Sequence, residues 1–126
     1  MRFNALRVGI NEIDMDHFNI DYVLRRMLAG SADETLAQQL VPAIILHMEH
    51  EESLIEELGL PFPGRHRKDH LYLSSLFRSL QLKWQERQID SFEFADEVNS
   101  FFLIHILEFD MKLAGDLSRG DDGNAG

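Results

Sequence analysis

The sequence predicts an all-α fold, an up-down-up-down antiparallel four-helix bundle. Apolar residues recur three and four apart in four stretches, each closed by turn chemistry, and no stretch sustains a period of two. The connections between the stretches are short, which places consecutive helices antiparallel.

The first helix is expected over Ile13 to Leu28, with Asp14 near its start and Gly30 as its stop. The second is expected over Asp33 to Leu58, capped by Asp33 or Ser31 and ended by Gly59. Pro42 lies inside it and removes a backbone donor, so a kink is expected near residues 38 to 42. The segment from Gly59 to Gly64 holds two prolines and two glycines and reads as a turn. A third helix follows over Arg65 to Arg87 and a fourth over Ser91 to Leu117. One domain therefore spans residues 1–117, and residues 118–126, rich in Gly, Asp and Asn, read as a polar tail, disordered or a linker.

Bulk properties narrow the function. At 126 residues the chain is one domain of ordinary size, long enough to bury a core. With 12 basic against 22 acidic residues and a formal charge of -10, the composition argues against a phosphate backbone as principal partner, and no nucleic-acid partner is expected. No apolar run reaches membrane-spanning length, and the start, Met1-Arg2-Phe3-Asn4, lacks a signal peptide's apolar stretch; the expectation is a soluble, cytoplasmic protein without a membrane partner. The absence of cysteine removes disulfides, iron–sulfur ligation and thiol catalysis, so any metal must be held by nitrogen and oxygen.

Five of the six histidines fall in phase with two carboxylates: His17, then His47 and Glu51, then His66 and His70, then His105 and Asp110. A residue four positions on lies only about 40° around an α-helix. His66, His70, Leu73, Phe77, Leu80 and Trp84 accordingly share about 80° of arc, so both histidines face the core. Leu36, Leu40, Ile44, His47, Glu51, Leu54 and Leu58 share one face of the second helix, and Ile10, Ile13, His17, Ile20 and Leu24 one face of the first. His105 and Asp110, five apart, lie about 140° around a regular helix, at opposite edges of an apolar face; a local widening would also bring both inward.

A lone histidine on an apolar face is more often a satisfied core residue than a ligand. Seven polar residues in phase on four helices are different, because two buried carboxylates need cations or close partners. Imidazole and carboxylate together suit iron, manganese or zinc, whereas calcium and magnesium prefer all-oxygen shells. A carboxylate can bridge two cations. Five imidazoles, two bridging carboxylates and one shared oxygen leave a single position of two octahedra open, where a small ligand would bind. His50, about 60° off the ligand line, reads as surface or supporting. Asp69 and Glu52 read as solvated charges, with a hydrogen bond to a ligand imidazole as the alternative, Glu12, Asp14 and Asp16 as acids complementing the helix dipole, and Trp84 as core.

At these positions the chain resembles the hemerythrins, specifically the bacterial type. The resemblance rests on Gly9-Ile10-Asn-Glu-Ile13-Asp14-Met-Asp-His17, His47-x-x-x-Glu51-Glu52, His66-x-x-Asp69-His70 and His105-x-x-x-x-Asp110, and it covers about Val8 to Leu113. It implies two irons with an oxo or hydroxo bridge: one held by His66, His70 and His105, the other by His17 and His47, with Glu51 and Asp110 bridging. It further implies reversible dioxygen binding at the iron with two histidines, behind an apolar wall to which Ile20, Met48 and Phe102 are assigned. Met48 stands where the family often has phenylalanine, and Phe102 where a smaller aliphatic is common.

The expected function is dioxygen storage, delivery or sensing, without catalysis. An alternative is a di-iron enzyme acting on peroxide, oxygen or nitric oxide, although five histidines leave few acids at the site to shuttle protons. A further alternative is the sensory module of a larger protein, with a signalling output domain or a redox partner beyond the polar tail.

Overall fold

A computed structural model describes residues 11–113 and residue 115. The expected end of the last helix at Leu117, the tail at 118–126 and Ile10 of the first stripe lie outside the described residues.

Helix α1 spans Asn11–Leu28, α2 Glu34–Ala37, α3 Leu40–Leu58, α4 Gly64–Gln85 and α5 Ser91–His105. The described residues contain helices and turns and no strand. The four long helices pack as a bundle, α1 against α3 and α5, and α4 against α3 and α5. Their shared interior is apolar: Ile20, Leu24, Ile44, Phe77, Phe94 and Phe102 are fully buried in one cluster. Each such side chain contributes about 1.5–3 kcal/mol through burial.

The helix ends follow local chemistry. Asp33 Oδ1 accepts from Leu36 N at 2.8 Å, and Asp90 Oδ1 accepts from Glu93 N at 2.8 Å, each satisfying a first-turn donor. Gly30 and Gly59, at φ 73° and 63°, take the left-handed conformation that closes α1 and α3. The expected second helix is broken, and the break falls at Gln38–Gln39, within the kink region anticipated from Pro42. Pro42 then sits in the first turn of α3, where its missing N–H costs no intrahelical bond. The stripe expected from Leu36 to Leu58 is kept across the break, with Leu36 packed on the core and Leu40, Ile44, His47 and Glu51 buried, but at the end of α3 Ile55 is buried and Leu58 is exposed.

On α4 the buried set is His66, His70, Leu73, Phe77, Leu80 and Trp84, the face that the sequence periodicity selects. Trp84 packs as core, stacked on Phe94 at 5.4 Å, and its Nε1 donates to Ser91 Oγ at 3.0 Å. After α5 the helix widens into a π turn over Ile106–Asp110, closed by Met111 N–H on the Ile106 carbonyl, and α geometry resumes at 111–113. Of the two geometries anticipated for His105 and Asp110, opposite edges of one face or a local widening, the widening is the one formed. Five residues make about one π turn, so His105 and Asp110 stack on the same side.

Candidate metal centre

Each long helix delivers residues to one point in the bundle. His17 comes from α1, His47 and Glu51 from α3, His66 and His70 from α4, and His105 and Asp110 from α5 and its π turn. All seven are buried.

The two carboxylates divide their oxygens between different histidines. Glu51 Oε1 lies 2.6 Å from His66 Nε2 and 3.7 Å from His70 Nε2, while Oε2 lies 3.3 Å from His47 Nε2 and 3.6 Å from His105 Nε2. Asp110 Oδ2 lies 2.9 Å from His17 Nε2 and 3.0 Å from His47 Nε2, while Oδ1 lies 3.0 Å from His105 Nε2. Two groups of ligand-capable atoms fall within 4.8 Å of one another: Glu51, His66, His70 and His105, and His47, Glu51, His105 and Asp110. His17 belongs to neither and joins through Asp110.

Asp110 Oδ2 is hydrogen-bonded to His17 and His47, whereas the remaining contacts are close without being aligned as hydrogen bonds. Both Glu51 oxygens, Asp110 Oδ1 and the Nε2 atoms of His66, His70 and His105 are buried with no hydrogen-bond partner. Leaving so many polar atoms unsatisfied in an apolar interior would be costly, at about 1–3 kcal/mol each. Imidazole nitrogens and carboxylate oxygens converging on common points supply the donor set of a transition metal. The cluster thus fits a bound metal ion.

Charge leads to the same conclusion. Burial pulls His47 down, but the carboxylates of Asp110, Asp16 and Glu51 beside it more than offset this and hold the imidazole well above its usual range. Burial likewise opposes protonation of His105, yet Asp110, Asp69 and Glu51 hold it well above that range. Burial raises Glu51 and Asp110, and the histidines around them outweigh it, so both remain ionised below the normal carboxylate range. The cluster requires positive charge beside its two carboxylates, and protons or metal cations can provide it.

A second layer departs from the sequence reading. Asp69, expected as a solvated charge, has its Oδ2 2.6 Å from His105 Nδ1. Asp16, expected only to complement the helix dipole, has its Oδ2 3.3 Å from His47 Nδ1 and 2.9 Å from His50 Nδ1. Both acids adjoin a cluster histidine in sequence, but their partners lie on other helices. Glu52 keeps its solvated character, 3.9 Å from His70 Nδ1 and half exposed. His50, read from its helical phase as surface or supporting, has a side chain 31 % exposed and pairs with Asp16 rather than joining the cluster.

Aromatic rings close the site. Phe102 meets His47 edge-on at 5.5 Å and His17 at 6.2 Å, and lies parallel to His105 at 6.0 Å. Ile20 and Met48 are buried in the same apolar cluster as Phe102. Phe109, which the sequence reading did not single out, stacks on His66 at 4.6 Å. A cavity of about 430 Å³ beside the π turn, lined by Pro61, Pro63, Arg65, Phe109 and Lys112 among others, reaches His66. Among the described residues no helix is long and apolar enough to cross a membrane. No family model, curated protein or solved structure matches the chain.

Proposed function

We propose that the chain is a hemerythrin-like protein, an up-and-down antiparallel bundle that holds two irons and binds dioxygen reversibly. The observation that carries this reading is the division of oxygens at Glu51 and Asp110. Asp110 turns Oδ2 to His17 and His47 and Oδ1 to His105, as a bridge between two cations requires, and Glu51 turns Oε1 to His66 and His70 and Oε2 to His47 and His105, between the two sets. His66, His70 and His105 would hold one iron, His17 and His47 the other, with Glu51 and Asp110 shared. When bound, such a pair supplies electrons and one open position to a small diatomic ligand.

The chain's own residues do the rest. Glu51 and Asp110 would offset part of the cationic charge inside the bundle. Phe102, which lies against His17, His47 and His105, with Ile20 and Met48 buried in the same apolar cluster, would form the wall that keeps water from the centre. Asp16 and Asp69 hold two of the imidazoles from behind.

Anaerobic loading with ferrous iron, elemental analysis and an optical titration with oxygen test the proposal. The expected result is two irons per chain and a visible band that forms with oxygen and fades on deoxygenation. A single metal per chain, or bleaching that deoxygenation never reverses, would count against it.

One observation favours a second reading, turnover of oxygen or peroxide. His50, Asp16 and His47 form a line from a half-exposed imidazole to the buried centre, and such a line can carry a proton. Steady-state consumption of oxidant in the presence of a reductant, suppressed in Asp16→Ala, would establish the enzyme.

A further inference from the structure

We propose that Asp16 and Asp69, neither of them in the metal-binding set, are positioning residues that each lock one histidine of a different metal position, and that Asp69 is the stronger of the two. This inference rests on the two-metal reading above.

A neutral imidazole carries one N–H. If Nδ1 holds it and donates to a carboxylate, Nε2 is left as a lone pair with a fixed direction. His105 meets this condition: Nδ1 is 2.6 Å from Asp69 Oδ2, and Nε2 faces Glu51 and Asp110. His47 meets it as well, with Nδ1 at 3.3 Å from Asp16 Oδ2 and Nε2 facing the same two carboxylates. His105 belongs to both groups of ligand-capable atoms and His47 to one. The two clamps differ in strength. Asp69 makes a short contact to His105, whereas the single Asp16 oxygen is divided between two imidazoles and lies closer to His50 than to His47. The more distant contact fixes its ring less firmly.

His70 offers a contrast. Its Nδ1 is buried without a hydrogen bond, because Glu52 stops 3.9 Å away. The two clamps reach His47 on α3 and His105 on α5, each in contact with both Glu51 and Asp110, and His70 lacks one. Fixing those two rings fixes where the bridging carboxylates meet the metals.

The test titrates cobalt(II) into the full chain against a competing chelator, following d–d absorption, with metal-free melting measured in parallel. The variants are Asp69→Ala, Asp69→Asn, Asp16→Ala and Asp16→Asn. Asp69→Ala is expected to weaken one cobalt equivalent by about 10- to 100-fold and to alter its spectrum, while the other equivalent moves far less. Asp16→Ala is expected to weaken the other equivalent by a smaller factor. Each asparagine variant should recover part of the loss, since its amide oxygen still accepts from Nδ1–H. Equal weakening of both equivalents, unchanged affinity, or asparagine behaving as alanine overturns the proposal. If the wild-type chain takes up no cobalt, the metal-centre reading itself fails. If it takes up cobalt and its iron form does not bind oxygen, only the oxygen function fails and the clamps are still decided by the variants.

Discussion

His105 and Asp110 are five residues apart, and their Nε2 and Oδ1 atoms nonetheless meet at 3.0 Å, because the helix between them makes one π turn. A π turn is an α-helix carrying one surplus residue. Removing Leu107, whose side chain is exposed, should return the segment to α geometry with the two residues four apart and still on one face. Metal uptake is expected to survive, and the metal-free melting temperature to rise. Inserting one alanine after Leu107 instead turns Asp110 about 100° away and should weaken metal binding at least roughly tenfold. Chelator competition on both variants checks the asymmetry; equal damage from deletion and insertion would refute it.

The charge balance of the cluster gives the metal-free protein a definite pH profile. Glu51, Asp110 and Asp16 sit below their unfolded values near about 4, so the stability they contribute is lost as pH falls through those lowered values. His47 and His105 sit above an unfolded value near about 6.5, so their contribution is complete below that pH and is lost as pH rises through the raised values. Greatest stability is expected between about pH 4 and 6.5. Metal replaces those protons and needs neutral imidazoles, so its stabilisation should grow with pH. Urea midpoints from pH 4 to 9, with chelator and with metal, should diverge on the alkaline side. A metal-free protein that continues to gain stability above about pH 7 would contradict this balance.

The seven cluster residues and the whole buried face of α4 were legible in the sequence, since an uninterrupted α-helix converts spacing directly into direction. The π turn was visible only as an anomalous spacing, because periodicity assumes a constant pitch and either side-chain placement satisfied the pattern. Pro42 marked the break in the second stretch, but the turn itself lies at Gln38–Gln39, before the proline. Asp16 and Asp69 were hidden for another reason. Each sits beside a cluster histidine on its own helix but serves one on another, His47 and His105, 31 and 36 residues away. No local spacing encodes such a partner; only the packing of the helices does.

Arg87 ends α4 with the same pair of backbone bonds that Gly30 and Gly59 use elsewhere: its N–H reaches the Trp84 carbonyl at 3.0 Å, and Gln88 N–H reaches Lys83 at 2.8 Å. It does so at φ 62°, where a side chain strains against the backbone. Arg87→Gly should stabilise the protein by about 0.5–1 kcal/mol, relief of strain outweighing the added freedom of the unfolded chain. The melting temperature should rise by a few degrees with metal content unchanged. A lower melting temperature would mean that the Arg87 side chain contributes more than its conformation costs.

Phe102 is a fully buried ring against the cluster, edge-on to His17 and His47 and parallel to His105. Phe102→Ala should cost about 3–5 kcal/mol and leave a cavity, so it confounds folding with function. Phe102→Leu keeps most of the volume and opens a gap only on the histidine side. Iron content should stay as in the wild type. Water then gains a path to the centre, and the oxygen-dependent band should fade in air roughly tenfold faster, equivalent to about 1.4 kcal/mol off the barrier. Decay traces at matched iron content measure this directly. If the leucine variant fades at the wild-type rate, Phe102 is a packing residue and the barrier to water lies elsewhere, with the cavity that reaches His66 beside Phe109 as the next wall to alter.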